Sequence, residues 1–355
     1  MSLTAVQHRY LAEMMQKVSR SFALVAPAVE TPLDDYLAAA YLICRVADNI
    51  EDAQQSYSWQ QARFAEFMGL LKEPETAELL LTDWEEQDWL GLTADEQAMM
   101  ARSEGLALWE ILAGMPGEMR ISINHWVSQM VFGMERSNNP AGSDFFVIRH
   151  GVRLPVGVSD YDMYCFYVAG TVGRLISDMA ISFYAINGSA AQSMRIGSEI
   201  FGRALQKTNI VKDFTSDLRR QICYLPDAWL SEVNYRPLTL SGAPAAWKRK
   251  VITNVLAELI NSVEFLITIP LNALGLRKAC LMMMLPAFQT ILLAAQNMSR
   301  LFTEQNVVKI SRITMLECVL KANNLAGNDN AIREYAREFA VQMEQQLEQA
   351  MVEQF

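Results

Sequence analysis

The amino-acid sequence predicts an all-α protein, and three features of its pattern support this. Apolar residues recur at helical spacing along most of the chain, runs of alternating polarity are scarce, and helix-breaking residues cluster at intervals. One such apolar face consists of Tyr36, Ala39, Ala40, Ile43, Cys44 and Ala47. The breaker clusters lie at 31–33, 115–117, 138–142, 187–189 and 236–244. None resembles an interdomain linker, so we expect one domain over residues 1–355, with a C-terminal helix at about 331–355 packed on its body.

Composition and charge restrict the class of protein. Of the 355 residues, 51% are hydrophobic and 20% are charged, which is typical of a globular protein able to bury a substantial core. The formal net charge of -10 argues against a nucleic-acid partner, because phosphate binding needs clustered Lys and Arg. An acidic protein can still bind an anionic substrate through a local device, and a bound divalent metal is the obvious candidate.

The cysteines and the apolar stretches indicate the compartment. The five cysteines are scattered, lie in apolar segments and form no CxxC pair, which favours buried thiols in a cytoplasmic protein. The first ten residues contain polar and charged side chains where a signal peptide would have its apolar core, so no signal peptide is expected. The most apolar stretch, 280–295, is interrupted by Pro286 and Gln289 and is shorter than the roughly 20 residues that span a bilayer, so we expect no transmembrane helix.

The first candidate site is the segment Asp48-Asn49-Ile50-Glu51-Asp52. On a helix, Asp48, Glu51 and Asp52 share one face at i, i+3 and i+4. Three adjacent carboxylates repel one another unless a cation compensates them, and a hard divalent ion with oxygen ligands suits this arrangement. Taken alone, the cluster is explained more simply as a solvated acidic end of a helix.

A second acidic face favours the metal interpretation. Asn209, Asp213 and Asp217 fall at i, i+4 and i+8, and their neighbours Ile210 and Phe214 are apolar. Acids on a partly buried helix need a partner or a metal. Basic residues also lie close by in the sequence, at Lys207, Lys212, Arg219 and Arg220. Together, the two faces predict helices that grip a diphosphate between metal ions and basic side chains.

In order and spacing, these motifs resemble the squalene and phytoene synthase family. The resemblance covers about Lys17 to beyond Ile310 and rests on five motifs found together. They are Ser19-Arg20-Ser21-Phe22, Tyr41 with Arg45, the DxxED box, the segment Tyr164 to Gly170, and the NxxxDxxxD box. The resemblance implies a helical bundle of the class I isoprenoid synthase type with a central apolar cavity.

Two further segments resemble the squalene synthase branch of that family, and two others depart from it. Gln206-Lys207-Thr208-Asn209-Ile210 and Asn306-Val307-Val308-Lys309-Ile310 look like that branch. The segment 219–226 is closer to the phytoene synthase style. Met282 stands where squalene synthases commonly place an aromatic residue. These departures concern how the last carbocation is shielded, not the first condensation.

The resemblance implies a magnesium-dependent, two-step reaction on two molecules of farnesyl diphosphate. Head-to-head condensation would give presqualene diphosphate, and reduction by NADPH would then give squalene. Mn²⁺ could replace Mg²⁺. No GxGxxG turn follows a strand, so NADPH would bind without a Rossmann unit.

The resemblance also implies a role for individual residues. Tyr167 would assist a proton transfer, alongside the catalytic acids Asp48, Asp52, Asp213 and Asp217, and Lys309 would contact the phosphate of the cofactor. The implied metal ligands are Asp48, Glu51, Asp52, Asn209, Asp213 and Asp217. The implied substrate-binding residues are Ser19, Arg20, Phe22, Tyr41, Arg45, Gln206, Lys212 and Arg219.

Several alternatives stay open at this stage. A related synthase could stop at dehydrosqualene, phytoene or presqualene diphosphate, and a class I terpene cyclase has the same geometry in its second box. A catalytically inactive family member acting as an assembly protein is a third alternative, although all six ligand positions are intact. We expect a cytoplasmic monomer with peripheral membrane contact.

Overall fold

The computed structural model describes residues 3–233, 240, 242–303 and 308–352, without the side chains of Arg20 and Ser21. These residues are mostly helical with one short hairpin, which confirms the predicted all-α class. The chain divides into two compact units, Met1–Pro140 with Arg174–Gly188, and Ala141–Gly173 with Ser189–Phe355. The single domain over 1–355, with its central cavity, stays a prediction.

The first unit consists of short and medium helices, several of which begin on a side-chain cap. The Thr4 side chain accepts a hydrogen bond from the Gln7 amide, and the Ser56 side chain accepts one from the Trp59 amide. Such caps satisfy amides that have no partner within the helix. The helices are α1 Ala5–Val18, α2 Arg20–Val25, α3 Leu33–Asp52, α4 Tyr57–Lys72, α5 Ala77–Glu85, α6 Ala94–Met100, α7 Arg102–Gly114 and α8 Gly117–Asn138.

Helix α3 forms the centre of the first unit. Its buried residues are mainly Ala, Leu, Ile and Val, and it packs on α1, α4, α7 and α8. Aromatic residues fill the core beyond it, where the rings of Phe67 and Trp109 meet edge to face at 5.8 Å. Because α3 is held on several sides, the acidic residues in its last turns have fixed positions.

The second unit begins with a hairpin and continues into longer helices. Strands β1 Phe146–Arg149 and β2 Val152–Pro155 pair antiparallel through a two-residue turn, His150-Gly151, with φ of 53° and 79°. Positive φ at both central residues is typical of a tight hairpin turn. The helices are α9 Val158–Cys165, a π-helical turn Phe166–Gly170, α10 Thr171–Phe183, α11 Gly188–Arg219, α12 Asp227–Ser231, α13 Ala245–Asn261, α14 Val263–Thr268, α15 Leu274–Gln296, α16 Arg312–Leu325 and α17 Asp329–Val352. The residues of α10 up to Gly173 belong to this unit and the rest to the first.

Helix α15 is the core helix of the second unit. It runs unbroken through Pro286, and the Thr290 hydroxyl donates to the Pro286 carbonyl within the helix. Two stretches of the described residues, Ala245–Thr268 and Leu271–Gln296, are long and apolar enough to cross a membrane. The window in Leu271–Gln296 is 72% buried, as expected for a core helix, and the other is 44% buried.

Helix α17 packs along the second unit through one apolar stripe. Phe339, Met343 and Leu347 are buried, and the Phe339 ring stacks on Phe288 of α15 at 4.5 Å. The guanidinium of Arg277 ties neighbouring segments together, since it donates to the Ile269 carbonyl and lies 2.6 Å from Asp329. All five cysteines are free and buried, which confirms the expected burial of the thiols.

Candidate active site

The first acidic face lies at the C-terminal end of α3. Asp48, Glu51 and Asp52 occupy the last two turns of the helix, and all three are partly exposed. The helix macrodipole is negative at this end, so it adds to the mutual repulsion of the three carboxylates. The arrangement therefore favours a cation.

The pKa of Asp48 shows how unfavourable its negative charge is. Burial among the surrounding residues raises the pKa of this carboxyl to about 7, although 33% of the side chain remains accessible. The Arg45 guanidinium, which lies 3.8 Å away, opposes this rise in pKa. The nearby carboxylates of Asp52 and Glu96 add to the rise. A nearby divalent cation would favour the ionised carboxylate.

Glu96 is a residue of this site that the sequence does not reveal. Its carboxylate pairs with the Arg45 guanidinium. Its backbone carbonyl accepts a hydrogen bond from the side-chain amide of Asn49 at 3.2 Å. The buried Arg45 therefore has a protein carboxylate partner, and its burial does not by itself require a phosphate. The available signal was Thr93-x-x-Glu96, which forms the capping box of α6, but a capping box gives no information on a partner 51 residues away.

The Ser19, Phe22 and Tyr41 positions come together in the first unit. Ser19 caps α2 by accepting from the Phe22 amide at 3.3 Å, and the rings of Phe22 and Tyr41 stack at 4.4 Å. Burial raises the pKa of Tyr41, and a hydrogen bond with Ser19 opposes that rise. These residues form a small cluster next to α3, while the side chain of Arg20 lies outside the described part of the chain.

The second acidic face lies in the last turns of α11. The Lys212 ammonium donates to Asn209 Oδ1 at 3.0 Å and lies 3.1 Å from Asp213 Oδ2. Asp217 is partly exposed one turn further on, again near a negative helix end. Lys212 therefore neutralises part of the negative charge of this face. Gln206 is partly exposed on the same helix, and Arg219 is exposed at its last residue.

Tyr167 belongs to the π-helical turn between α9 and α10. Its ring is partly exposed and lies 6.3 Å from Phe145, and its carbonyl accepts from the Thr171 hydroxyl at 2.6 Å. Single π-helical turns are frequent at functional sites, because they displace side chains from regular helical positions. Lys309 is exposed in a non-helical segment of the second unit.

Lys207 does not have the environment expected of a residue that grips a diphosphate. Its side chain is fully buried, with Nζ 2.6 Å from Asp162 and 2.8 Å from Glu258. In the sequence, Lys207 lies beside the acidic face. In the structure, its side chain is buried where three helices pack together. Neither Asp162 nor Glu258 stands out in the sequence, since Glu258 is a lone acid in its helix and Asp162 has only Asp160 beside it.

The donor atoms on both faces fit Mg²⁺, although they do not form a closed metal site. Within residues 3–233, 240, 242–303 and 308–352, no group of three or more His, Cys, Asp or Glu could by itself hold a metal ion. Mg²⁺ usually takes only one or two carboxylates and completes its shell with waters and substrate phosphates. Carboxylate and amide oxygens at the ends of the two helices suit that behaviour. The two faces belong to different units, and their joint action on one substrate stays a prediction.

Comparison with known proteins establishes the family. The squalene/phytoene synthase family model matches residues 15–314, and this family is of the prenyltransferase type. The chain belongs to the squalene/phytoene synthase family, whose members are transferases of isoprenoid biosynthesis. The resemblance inferred from the motifs is thereby confirmed.

Several curated relatives are similar at low identity. Squalene synthase BSS of Botryococcus braunii is 24% identical over 88% of this chain and 64% of the relative, and squalene synthase of Dictyostelium discoideum is 26% identical over 72% and 56%. The 15-cis-phytoene synthase of Enterobacter agglomerans is 26% identical over 49% of this chain and 57% of the relative. The chain thus spans less than two thirds of the length of these relatives.

Solved structures share the fold. A complex of TcSQS with the ligand BPH1237 has a TM-score of 0.76 at 18% identity and covers 98% of each chain. A dehydrosqualene synthase has a TM-score of 0.62 at 18% identity, covering 90% of this chain and 96% of the other. Since both squalene and dehydrosqualene synthases match, the fold does not separate the products within the family.

Proposed function

We propose that this protein is a squalene synthase, which joins two farnesyl diphosphates head to head to presqualene diphosphate and reduces that intermediate with NADPH. The observation that carries the proposal is the pair of oxygen-rich helix ends on α3 and α11, each with a basic residue beside it. Two relatives named squalene synthase match most of the chain and support this choice within the family.

Magnesium would be held by the six oxygen-bearing residues of the two faces. Asp48, Glu51 and Asp52 would contribute from α3, and Asn209, Asp213 and Asp217 from α11. When bound, Mg²⁺ or Mn²⁺ neutralises a leaving diphosphate and so assists cleavage of the C–O bond.

The residues around these faces would bind and orient the substrate. Lys212 can exchange its bonds with Asn209 and Asp213 for diphosphate oxygens. Arg45 is held in place by Glu96 and can direct its remaining N–H groups to a second diphosphate oxygen. Arg20 and Arg219 would also grip diphosphate oxygens, and Tyr41 would donate a hydrogen bond there. Ser19, Phe22 and Gln206 would complete the substrate-binding set.

Tyr167 is the proposed proton carrier of the first condensation. Its position on a π-helical turn, beside the aromatic rings of Phe145 and Phe166, suits a hydroxyl kept away from bulk water. In the second step NADPH would supply a hydride. The exposed Lys309 is the proposed contact to its phosphate.

Product identification tests the proposal. Purified protein is incubated with farnesyl diphosphate and Mg²⁺, with and without NADPH, and the products are identified by mass spectrometry. Squalene formed only with NADPH supports the proposal. A fifteen-carbon cyclic product would instead show a terpene cyclase, and no turnover of any prenyl diphosphate would show an inactive family member.

A dehydrosqualene-type synthase is the second candidate, and Met282 favours it. This residue is buried in α15, where the resemblance leads us to expect an aromatic ring to shield a carbocation. A hydrocarbon product that is the same with and without NADPH would select this candidate. Accumulation of presqualene diphosphate would indicate a synthase that stops after the first step.

We also propose that the protein is a cytoplasmic monomer that touches membranes through α16. Ile313, Leu316 and Leu320 lie on one face of this helix at 71%, 60% and 58% exposure, opposite the residues that pack inward. Exposed apolar stripes of this kind suit a bilayer interface.

The charges around this stripe fit an anionic lipid surface. The exposed Lys309, Arg312 and Lys321 flank the stripe together with one carboxylate, Glu317, in a chain whose net charge is -10. Lys321 also lies over the ring of Tyr335, with its Nζ 5.4 Å from the centroid. Basic residues beside an apolar helix face strengthen binding to anionic lipids.

Vesicle flotation tests the membrane contact, with phosphatidylglycerol and phosphatidylcholine vesicles compared. We expect flotation with the anionic vesicles, and its loss when Leu316 and Leu320 are both changed to Ser. The matched control is Leu79→Ser, since Leu79 is 75% exposed on α5. Equal flotation of the control and the double variant would contradict the assignment to α16.

A further inference from the structure

A fully buried lysine joins three helices of the second unit. Lys207 of α11 lies 2.6 Å from Asp162 Oδ1 of α9 and 2.8 Å from Glu258 Oε1 of α13, and it donates to Asn254 Oδ1 at 3.1 Å. Its Nζ also lies 4.9 Å from the centre of the Tyr161 ring. An ammonium group has three N–H donors, and three oxygen acceptors surround this one.

Such a buried group contributes more to specific geometry than to stability. Desolvation offsets much of the attraction between buried charges, so replacing a whole set of buried charges by apolar residues can leave stability unchanged, whereas removing one partner alone is strongly destabilising. Such apolar residues would still not fix the distances between the helices that the charges join. We therefore ask which segments Lys207 holds at fixed positions relative to one another.

Those segments carry two parts of the proposed active site. Asp162 lies one turn before the π-helical turn that bears Tyr167, and Lys207 lies two residues before Asn209, at the start of the second acidic face. A second fixed point lies close by, because a Cβ at Gly202 would come within 2.2 Å of the Ala169 carbonyl oxygen. The π-helical turn is thus held against α11 both by a close backbone contact and by the buried ion pair.

We propose that Lys207 is a positioning residue, which fixes Tyr167 relative to the face formed by Asn209, Asp213 and Asp217. Its ammonium is occupied by Asp162, Glu258 and Asn254, so it acts through the helices and not on the substrate. This inference rests on the proposed prenyltransferase function for its effect on turnover. Its structural part is independent of that function.

The test compares Lys207→Met with Lys248→Met. Lys248 is the matched control, a fully buried lysine of the same unit whose Nζ donates to the Ser299 carbonyl at 3.2 Å. For Lys207→Met we expect a native circular dichroism spectrum, a kcat about 10- to 100-fold lower, and a higher Mg²⁺ concentration for half-maximal rate. Lys248→Met should change neither quantity by more than about twofold, whatever its effect on the melting temperature.

Hydrogen exchange provides a readout that does not depend on activity. Amides of the turn Phe166–Gly170 should exchange faster in Lys207→Met than in the wild type or in Lys248→Met. Asp162→Asn, which removes the other half of the pair, should have the same effect, and the double variant should be no worse than either single change. Asp162→Asn also keeps the test decisive if Lys207→Met does not fold.

Two results separate the failure of this inference from the failure of the proposed function. If the wild type shows no Mg²⁺-dependent turnover of farnesyl diphosphate, the proposed function fails and hydrogen exchange alone decides the role of Lys207. If the wild type is active and Lys207→Met matches Lys248→Met in kcat, Mg²⁺ dependence and exchange, the positioning role is refuted.

Discussion

The close contact between Gly202 and the π-helical turn should make Gly202→Ala harmful to both stability and turnover. A Cβ at this position would lie 2.2 Å from the Ala169 oxygen, 2.8 Å from its carbonyl carbon and 3.1 Å from the Gly170 Cα. Ordinary C···O contacts are about 3.3 Å or longer, so the two segments must separate by about 1 Å. Overpacking of this kind costs about 1–3 kcal/mol, and the better helix propensity of Ala returns about 0.5–1 kcal/mol.

The net loss should be up to about 2.5 kcal/mol, which in a chain of 355 residues corresponds to a melting temperature lower by up to about 3 °C. Turnover should fall further than stability, because the displaced segment carries Tyr167. A shift of about 1 Å in a catalytic group can lower the rate by about 100-fold. Differential scanning calorimetry and steady-state rates with farnesyl diphosphate measure the two effects.

Gly69→Ala is the control for this substitution. Gly69 is exposed in α4, and a Cβ there meets no atom within 4 Å, so Ala should stabilise the protein by about 0.5–1 kcal/mol without changing the rate. The reasoning is refuted if Gly202→Ala melts at the wild-type temperature and turns over at the wild-type rate. Such a result would mean that the contact at Ala169 adapts without displacing the turn.

Three further substitutions test other parts of the structure. Glu96→Gln should lower stability by about 1–3 kcal/mol near neutral pH by breaking the pair with Arg45. Burial raises the pKa of Glu96, but hydrogen bonds from the helix cap and from Arg45 lower it below its usual value. The stability that the ionised Glu96 contributes is therefore lost as the pH falls through that lowered pKa. In urea unfolding at such low pH, the variant and the wild type should have the same stability. Asp213→Asn should raise the Mg²⁺ requirement and lower kcat at least about tenfold, and unchanged Mg²⁺ titrations would remove Asp213 from the ligand set. Phe339→Ala should cost about 3–5 kcal/mol in urea unfolding, since the ring stacks on Phe288, and a loss below about 1 kcal/mol would contradict the packing of α17.

The sequence predicts features that depend on local spacing better than features that depend on distant contacts. The helical faces of Asp48 and Asp213 follow directly from i, i+3 and i+4 spacing, and the structure places both on helices. The partner of Arg45 could not be predicted, because Glu96 comes from another helix 51 residues away. The burial of Lys207 could not be predicted for the same reason. Its sequence neighbours suggest a cation on the surface, and its burial follows only from the packing of distant helices.

Short strands are not visible in the sequence pattern, and a proline inside a helix also departs from the usual local preference. The hairpin β1–β2 has strands of four residues, too short for a clear alternating pattern, although its His150-Gly151 turn is compatible with a tight hairpin. Pro286 lies inside a helix that is buried on most sides, where packing offsets the lost hydrogen bond. In both cases tertiary context outweighs the local signal.

The acidic end of α3 leads to a final prediction, a trade between stability and function. Asp48 has its pKa raised to about 7 by its surroundings, and it lies near Asp52 at the negative end of a helix, so its charge destabilises the metal-free protein. Asp48→Asn should therefore stabilise the protein in EDTA at pH 8, by about 1–3 kcal/mol after allowance for solvent screening. Mg²⁺ with inorganic pyrophosphate should then raise the melting temperature of the wild type more than that of the variant, because the variant lacks one ligand. A variant that is less stable than the wild type in EDTA would show that the Asp48 charge is compensated by the protein itself, and the case for a cation at this helix end would lose its physical basis.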